Sequence, residues 1–111
     1  MELMSNEIRT KNFEAKDIFN AATAMPLKTM IGETLPVVAL WITERPDADG
    51  VVQTVANFKT EDGSIYGTIS ETIIRSAIAL PEMLGSMPVV IVQIEERAGT
   101  KGRSYLVMQL V

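Results

Sequence analysis

The stretch IYGTISETIIRSAIALPEMLGSMPVVIVQIE, residues 65–95, changes hydrophobic period twice, and those changes decide the fold. Ile65 to Ser70 has the length and the β-branched content of a strand. Ile73, Ile74, Ala77, Ile78 and Leu80 then group at helical spacing, with Ser70 placed to cap the first turn. Pro81 interrupts that pattern, so a kink or break is expected there, and Gly85 should end the helix. Pro88 to Glu95 returns to an apolar, β-branched run. A helix near 71–84 is therefore expected between two strands.

Upstream of this switch, Leu35 to Thr43 (LPVVALWIT) and Val51 to Thr60 (VVQTVANFKT) also read as strands. Pro46 and the pair Asp49-Gly50 mark the turn between them, and Asp62-Gly63 marks a second turn of hairpin type. Downstream, a glycine-containing loop, residues 96–103, leads into Ser104 to Val111 (SYLVMQLV), a last strand. Gly67 inside the third strand suggests a bulge or sharp bend. Strands are thus expected near 35–44, 51–60, 64–70, 88–96 and 104–111. Near the start, Phe13, Ile18, Phe19, Ala22 and Met25 suit the apolar face of a short helix over residues 12–25, with Asn12 as its cap and Pro26 at its end. Residues 1–11 read as a flexible arm, and 12–111 as one domain. Five strands with a helix between the third and fourth predict a mainly β fold: an OB-fold-like Greek-key barrel with a short N-terminal helix.

With 111 residues, 47% of them hydrophobic, the chain is large enough to build one core without staples. It contains neither Cys nor His, which removes disulfides, thiolate chemistry, an imidazole base and the usual zinc ligands. No nucleophile–base set remains, so no catalytic residue, metal or cofactor is assigned and an enzyme is not expected. Glu44, Asp47, Asp49, Glu61 and Asp62 fall in turns without EF-hand spacing, and read as turn chemistry. No phosphate-binding glycine pattern occurs. Without a secretory signal or an apolar run of membrane-spanning length, a soluble cytoplasmic protein is expected.

Fourteen acidic and ten basic residues give a net charge of −4, which taken alone argues against nucleic acid as a partner. The distribution argues the other way. Of the cations after residue 28, Arg45, Lys59, Arg97, Lys101 and Arg103 fall in loops or strand ends that border the expected binding face, beside the aromatics Trp41, Phe58, Tyr66 and Tyr105. Cations that follow phosphates and rings that stack on bases are what a single strand requires. A period of two puts Ile65, Gly67 and Ile69 on one face of their strand, leaving Tyr66 to point outward. Likewise Leu106, Met108 and Leu110 oppose Tyr105. Both faces of the first strand are apolar, and phase leaves Trp41 and Phe58 undecided between core and surface.

The combination Gly63-Ser64-Ile65-Tyr66, Ser70, Arg75-Ser76 and the terminal Lys101-Gly102-Arg103-Ser104-Tyr105 resembles small single-stranded-DNA-binding proteins of bacteriophages. The segment Lys16-Asp17-Ile18-Phe19-Asn20-Ala21, ahead of the strand that opens the barrel, is similar too. The resemblance spans residues 12–111. It implies an OB-like fold, coating of replicating phage DNA in the host cytoplasm, and dimers or larger assemblies. A protein-interaction domain, such as a phage-encoded inhibitor or assembly factor, is the alternative reading, working through an acidic surface or an exposed strand edge.

Overall fold

Strand β3, Thr34–Pro46, has two antiparallel partners, and the sheet curls around it. Its first residues, Thr34 to Val37, pair with Gln93 to Val90 of β6 (Val90–Ala98). From Val37 to Pro46 it pairs with β4 (Val52–Thr60). The register shifts between Val37 and Ala39, so Val38 is an extra residue in β3, a bulge that bends the strand and reverses its phase. As a result Leu35 and Val37 point to the same interior as Leu40 and Ile42, although the two pairs differ in parity.

The computed structural model describes residues 7–111. β4 continues through the Asp62-Gly63 turn into β5 (Ile65–Thr68), and β6 turns back as β7 (Ser104–Leu110). Two two-residue strands complete the sheet: β1 (Ile8–Arg9) pairs with β3, and β2 (Met25–Pro26) pairs in parallel with β5. The order β2-β5-β4-β3-β6-β7 forms a strongly curled half-barrel, and the protein is mainly β. Helices α2 (Glu71–Ala77) and α3 (Leu80–Ser86) connect β5 to β6 and fill the concave side. Ile73, Ala77 and Leu80 from these helices meet Leu40, Phe58, Val92 and Ile94 in the main core. Ser70 caps α2, its hydroxyl accepting the Ile73 amide at 3.4 Å.

Several expectations need correction. Among the described residues the sheet has seven strands in a half-barrel, not the five of the expected OB-like arrangement. Two-residue strands have no detectable period, which is why β1 and β2 escape a sequence reading. The single helix over 71–84 is two helices, because a proline ring inside a continuous helix would collide with the carbonyl four residues earlier. Pro81 instead occupies the first turn of α3, where its missing N–H is not needed, and Gly85 lies inside α3.

The N-terminal helix is also shorter than expected. α1 spans only Ala15–Asn20 and is followed by a 3-10 turn, Ala21–Thr23. Glu14, not Asn12, is its cap residue, with the Glu14 amide donating to Asp17 Oδ2 at 2.8 Å. The expected apolar face is not formed: Phe13 precedes the helix and is buried, whereas Phe19 is 82% exposed and Met25 is exposed. Ile8 and Arg9 lie in β1, and residues 1–6 of the expected arm fall outside the described residues. Gly67 marks a close approach and no bulge: a Cβ there would lie 3.4 Å from Asn57 Oδ1 and 3.5 Å from the Ala24 methyl.

Candidate functional site

The convex face of the sheet is itself partly covered. Phe13, Ala21, Ala39 and Ile65 form a second buried cluster, with Ile18, Val38 and Trp41 packed around it. Segment 12–24 thus lies over β3 and β4, held by Phe13 against Trp41 with ring centroids 5.7 Å apart. Lys59 anchors the same segment, its ammonium 2.9 Å from Asp17 Oδ2 and 3.3 Å from the Asn12 carbonyl. Burial would raise the Asp17 carboxyl, but the Lys59 hydrogen bond, the Glu14 amide and the Lys59 and Lys16 charges outweigh it and hold the group below the usual carboxylate range.

Because the convex face is partly covered and the concave face holds the main core, the expected residues are not brought together on one face. Tyr66 opposes Phe58 across the β4–β5 ladder, so the two share the concave face; Phe58 is 1% exposed in the main core and Tyr66 packs against it. Phe58 thus has no open face for a base, and Tyr66 is half-buried. Ile65 does face a core, but that core is the second cluster, and Tyr66 on the opposite side of the strand faces the first. Lys59 is occupied by Asp17 and is absent from the linings of the clefts below. Trp41 is half-buried, with its indole Nε1 donating to Glu7 at 2.6 Å.

Where the covering segment runs out, small residues leave a gap. Ala21, Ala22 and Ala24 from the segment face Val55, Asn57 and Gly67 across an open cleft of about 460 Å³. The pairing of Met25 with Tyr66 and Pro26 with Gly67 holds one wall in place. Buried Asn57 is fixed by its amide, which donates to the Trp41 carbonyl at 3.1 Å. Lys28 and Arg45 stand in the lining, Ser70 contributes a hydroxyl, and no carboxylate takes part. A second arm of about 350 Å³ shares Arg45, Val55 and Asn57 and continues past Trp41 and Glu44.

The remaining expected residues collect at the β6–β7 hairpin. Arg97 pairs with Tyr105 across the ladder, and Tyr105 is 43% exposed. Arg97 is also 3.4 Å from Glu95. Gly99 allows a close approach there: a Cβ would lie 3.0 Å from the Arg103 carbonyl and 3.4 Å from the Tyr105 ring. Lys101 holds a left-handed conformation with φ 58° in the exposed turn that also carries Arg103. Leu106, the residue after Tyr105, reaches the cleft that Lys28 and Arg45 line. Cleft and hairpin are therefore adjacent.

Arg45 thus lines the cleft, Arg97, Lys101, Arg103 and Tyr105 gather at the neighbouring hairpin, and Phe58, Lys59 and Tyr66 belong to neither. Sequence reasoning missed Lys28, which precedes the first long strand, and the exposed ring of Phe19, assigned to a helix face. The isolated cation between Pro26 and Gly32, without an acid within four residues, was the one available signal for Lys28. Among the described residues no three or more acidic side chains cluster as a metal site would need, and no helix is long and apolar enough to cross a membrane. No protein-family model, curated protein or solved structure matches this chain, so the reading of the site rests on its geometry.

Proposed function

We propose that the chain binds single-stranded DNA, coating it during phage replication or recombination, on the side formed by the cleft and the β6–β7 hairpin. The half-barrel is then read as OB-type, with β3 shared between the β3-β4-β5 meander and the β6–β7 hairpin and the helices between them. One observation supports this reading above the others. A cleft whose main arm is lined by Lys28 and Arg45 without a carboxylate, Glu44 standing in the second arm, adjoins through Leu106 a hairpin with an exposed Tyr105 and the cations Lys101 and Arg103. Phosphates favour the cations and a base favours the exposed ring, so a net negative protein still offers one locally positive path.

Trp41 is the sole tryptophan, half-buried and lining the second arm of the cleft, which makes it the reporter. Titration with a poly-dT oligonucleotide at two salt concentrations should change its fluorescence, with weaker binding at higher salt. No response to DNA or RNA single strands at low salt would remove the proposal. The protein-interaction reading would then stand, favoured by exposed Ile91 and Leu110.

A further inference from the structure

Asn57 is only 3% exposed, yet it lines both arms of the cleft. Its side-chain N–H donates to the Trp41 carbonyl at 3.1 Å, which fixes the amide and leaves Oδ1 as its free end. Among the described residues no hydrogen bond reaches Oδ1, and no polar side-chain atom is sealed from solvent without a partner. Oδ1 therefore opens on the cleft. The opening exists because residue 67, directly opposite Asn57 in the β4–β5 ladder, is glycine: a Cβ there would stand 3.4 Å from Oδ1.

A buried acceptor without a partner favours an occupant that brings an N–H. The charged side chains of the same arm, Lys28 and Arg45, only donate, and neither is in an ion pair among the described residues. Ser70 Oγ already accepts the Ile73 amide, so its hydrogen is free to donate as well. Ala21, Ala22, Ala24 and Pro26 supply small apolar walls. One acceptor among donors complements thymine, which has a single imino N–H between two carbonyls and a methyl group of the kind that alanine contacts. Each of the other three bases presents an amine with two hydrogens, where the cleft has one free side-chain acceptor. A volume of about 460 Å³ is near the lower end for small-ligand pockets and suits one nucleotide, not a stacked run. No aromatic ring lines this arm, so a base there is held by its edge.

We propose that the main arm of the cleft is a pocket for a single thymine base, its imino N–H donating to Asn57 Oδ1 and its phosphate held by Lys28 and Arg45. The base comes from the strand proposed above, so the pocket rests on that reading. It adds a base preference that stacking on Tyr105 does not supply.

The test compares an oligo-dT with the same strand carrying N3-methylthymine, on the parent and on Gly67→Ala, with Trp41 fluorescence as the readout. Methylation removes the imino N–H and leaves the phosphates and the ring faces as they were. The parent should bind the methylated strand about tenfold more weakly, the scale of one hydrogen bond lost with its acceptor left unsatisfied. In Gly67→Ala the new methyl covers Oδ1 at ordinary contact distances, 3.4 Å from Oδ1 and 3.5 Å from the Ala24 methyl, and φ at residue 67 lies outside the left-handed region. The variant should therefore melt as the parent does and bind both strands alike, at the parent's affinity for the methylated one. A parent that binds both strands equally, or a Gly67→Ala protein that still tells them apart, overturns the pocket and leaves the strand reading in place. Failure of the parent to bind either strand removes the strand reading instead. Thymidine 5'-monophosphate, titrated alone, then decides the pocket: saturation in the parent but not in Gly67→Ala retains it for a free nucleotide, and no saturation overturns it.

Discussion

Lys59 and Asp17 are 2.9 Å apart in an ion pair that ties β4 to α1, with side chains 17% and 4% exposed. The pair closes the segment over the convex face and so sets where the cleft begins. Asp17 has a lowered folded-state pKa, the hydrogen bond from Lys59 and its companions overcoming the effect of burial. Its stabilising contribution is therefore complete above the unfolded carboxyl value of about 3.9 and is lost as pH falls through the lower folded value. Lys59→Met should destabilise the protein by about 2 kcal/mol at pH 7, the usual scale for a hydrogen bond to a charged group. Urea unfolding at neutral and acidic pH checks this: the gap between parent and variant should narrow below about pH 4. A gap equal at both pH values would mean that poorer packing, and not the charge pair, explains the change.

The two tyrosines separate structure from binding. Tyr66 packs on the main core beside Phe58, so Tyr66→Ala should lower stability by about 2 kcal/mol, less than the full loss of a buried ring because it is only half-buried. Tyr105 is exposed on the hairpin, and Tyr105→Ala should leave the melting temperature nearly unchanged. Base stacking contributes about 1–3 kcal/mol, so the same change should weaken single-strand binding roughly tenfold to a hundredfold. Thermal melts and oligonucleotide titrations on both variants distinguish the roles, and a Tyr105→Ala protein that binds as the parent does would exclude the ring from the interface.

How much of this was legible in the chain follows from where a period is readable. Asp62-Gly63, with φ 88° at the glycine, and the Ser70 cap sit where the sequence puts them because turn and cap chemistry is local. The five longer strands likewise lie near their expected positions. Facing directions were harder. Val38 shifts the phase of β3, so Leu35 and Val37 share a side with Leu40 and Ile42, and no pattern of alternation reveals an inserted residue. Segment 12–24 covers the convex face and buries Ile65 there, so the apolar side of β5 does not mark the main core, which lies on the Tyr66 side. The ion pair of Lys59 with Asp17 spans distant positions in the sequence and could not be read from either neighbourhood.

Lys101 sits in a left-handed conformation at φ 58°, next to Gly102 at φ 74°. A residue with a Cβ is strained there by about 1–2 kcal/mol, while glycine is not but gains freedom when unfolded. Lys101→Gly should therefore leave stability equal or raise it by up to about 1 kcal/mol. The same substitution removes a cation from the proposed DNA path and should lower affinity. Opposite signs in a denaturation curve and a binding isotherm are the expected result. Binding unchanged at low salt would take Lys101 out of the interface.

The salt dependence of binding locates the strand on the surface. Each phosphate that a cation no longer neutralises should flatten the slope of log affinity against log salt by about 0.7 for a single strand. Replacing Lys101 and Arg103 with alanine should therefore reduce the slope by about 1.4, and replacing Lys28 and Arg45 should do the same if the strand enters the cleft. Leu106 connects the two regions, so one strand passing over both predicts that the two reductions add in the fourfold variant. A cleft pair that leaves the slope untouched, beside a hairpin pair that lowers it, would confine DNA to the hairpin and leave the cleft for another ligand. The reverse pattern would confine it to the cleft and reduce Tyr105 to an exposed ring beside the site. Lys59→Met serves as the internal control: its ammonium is held by Asp17, so the change should alter stability while leaving the slope where the parent has it.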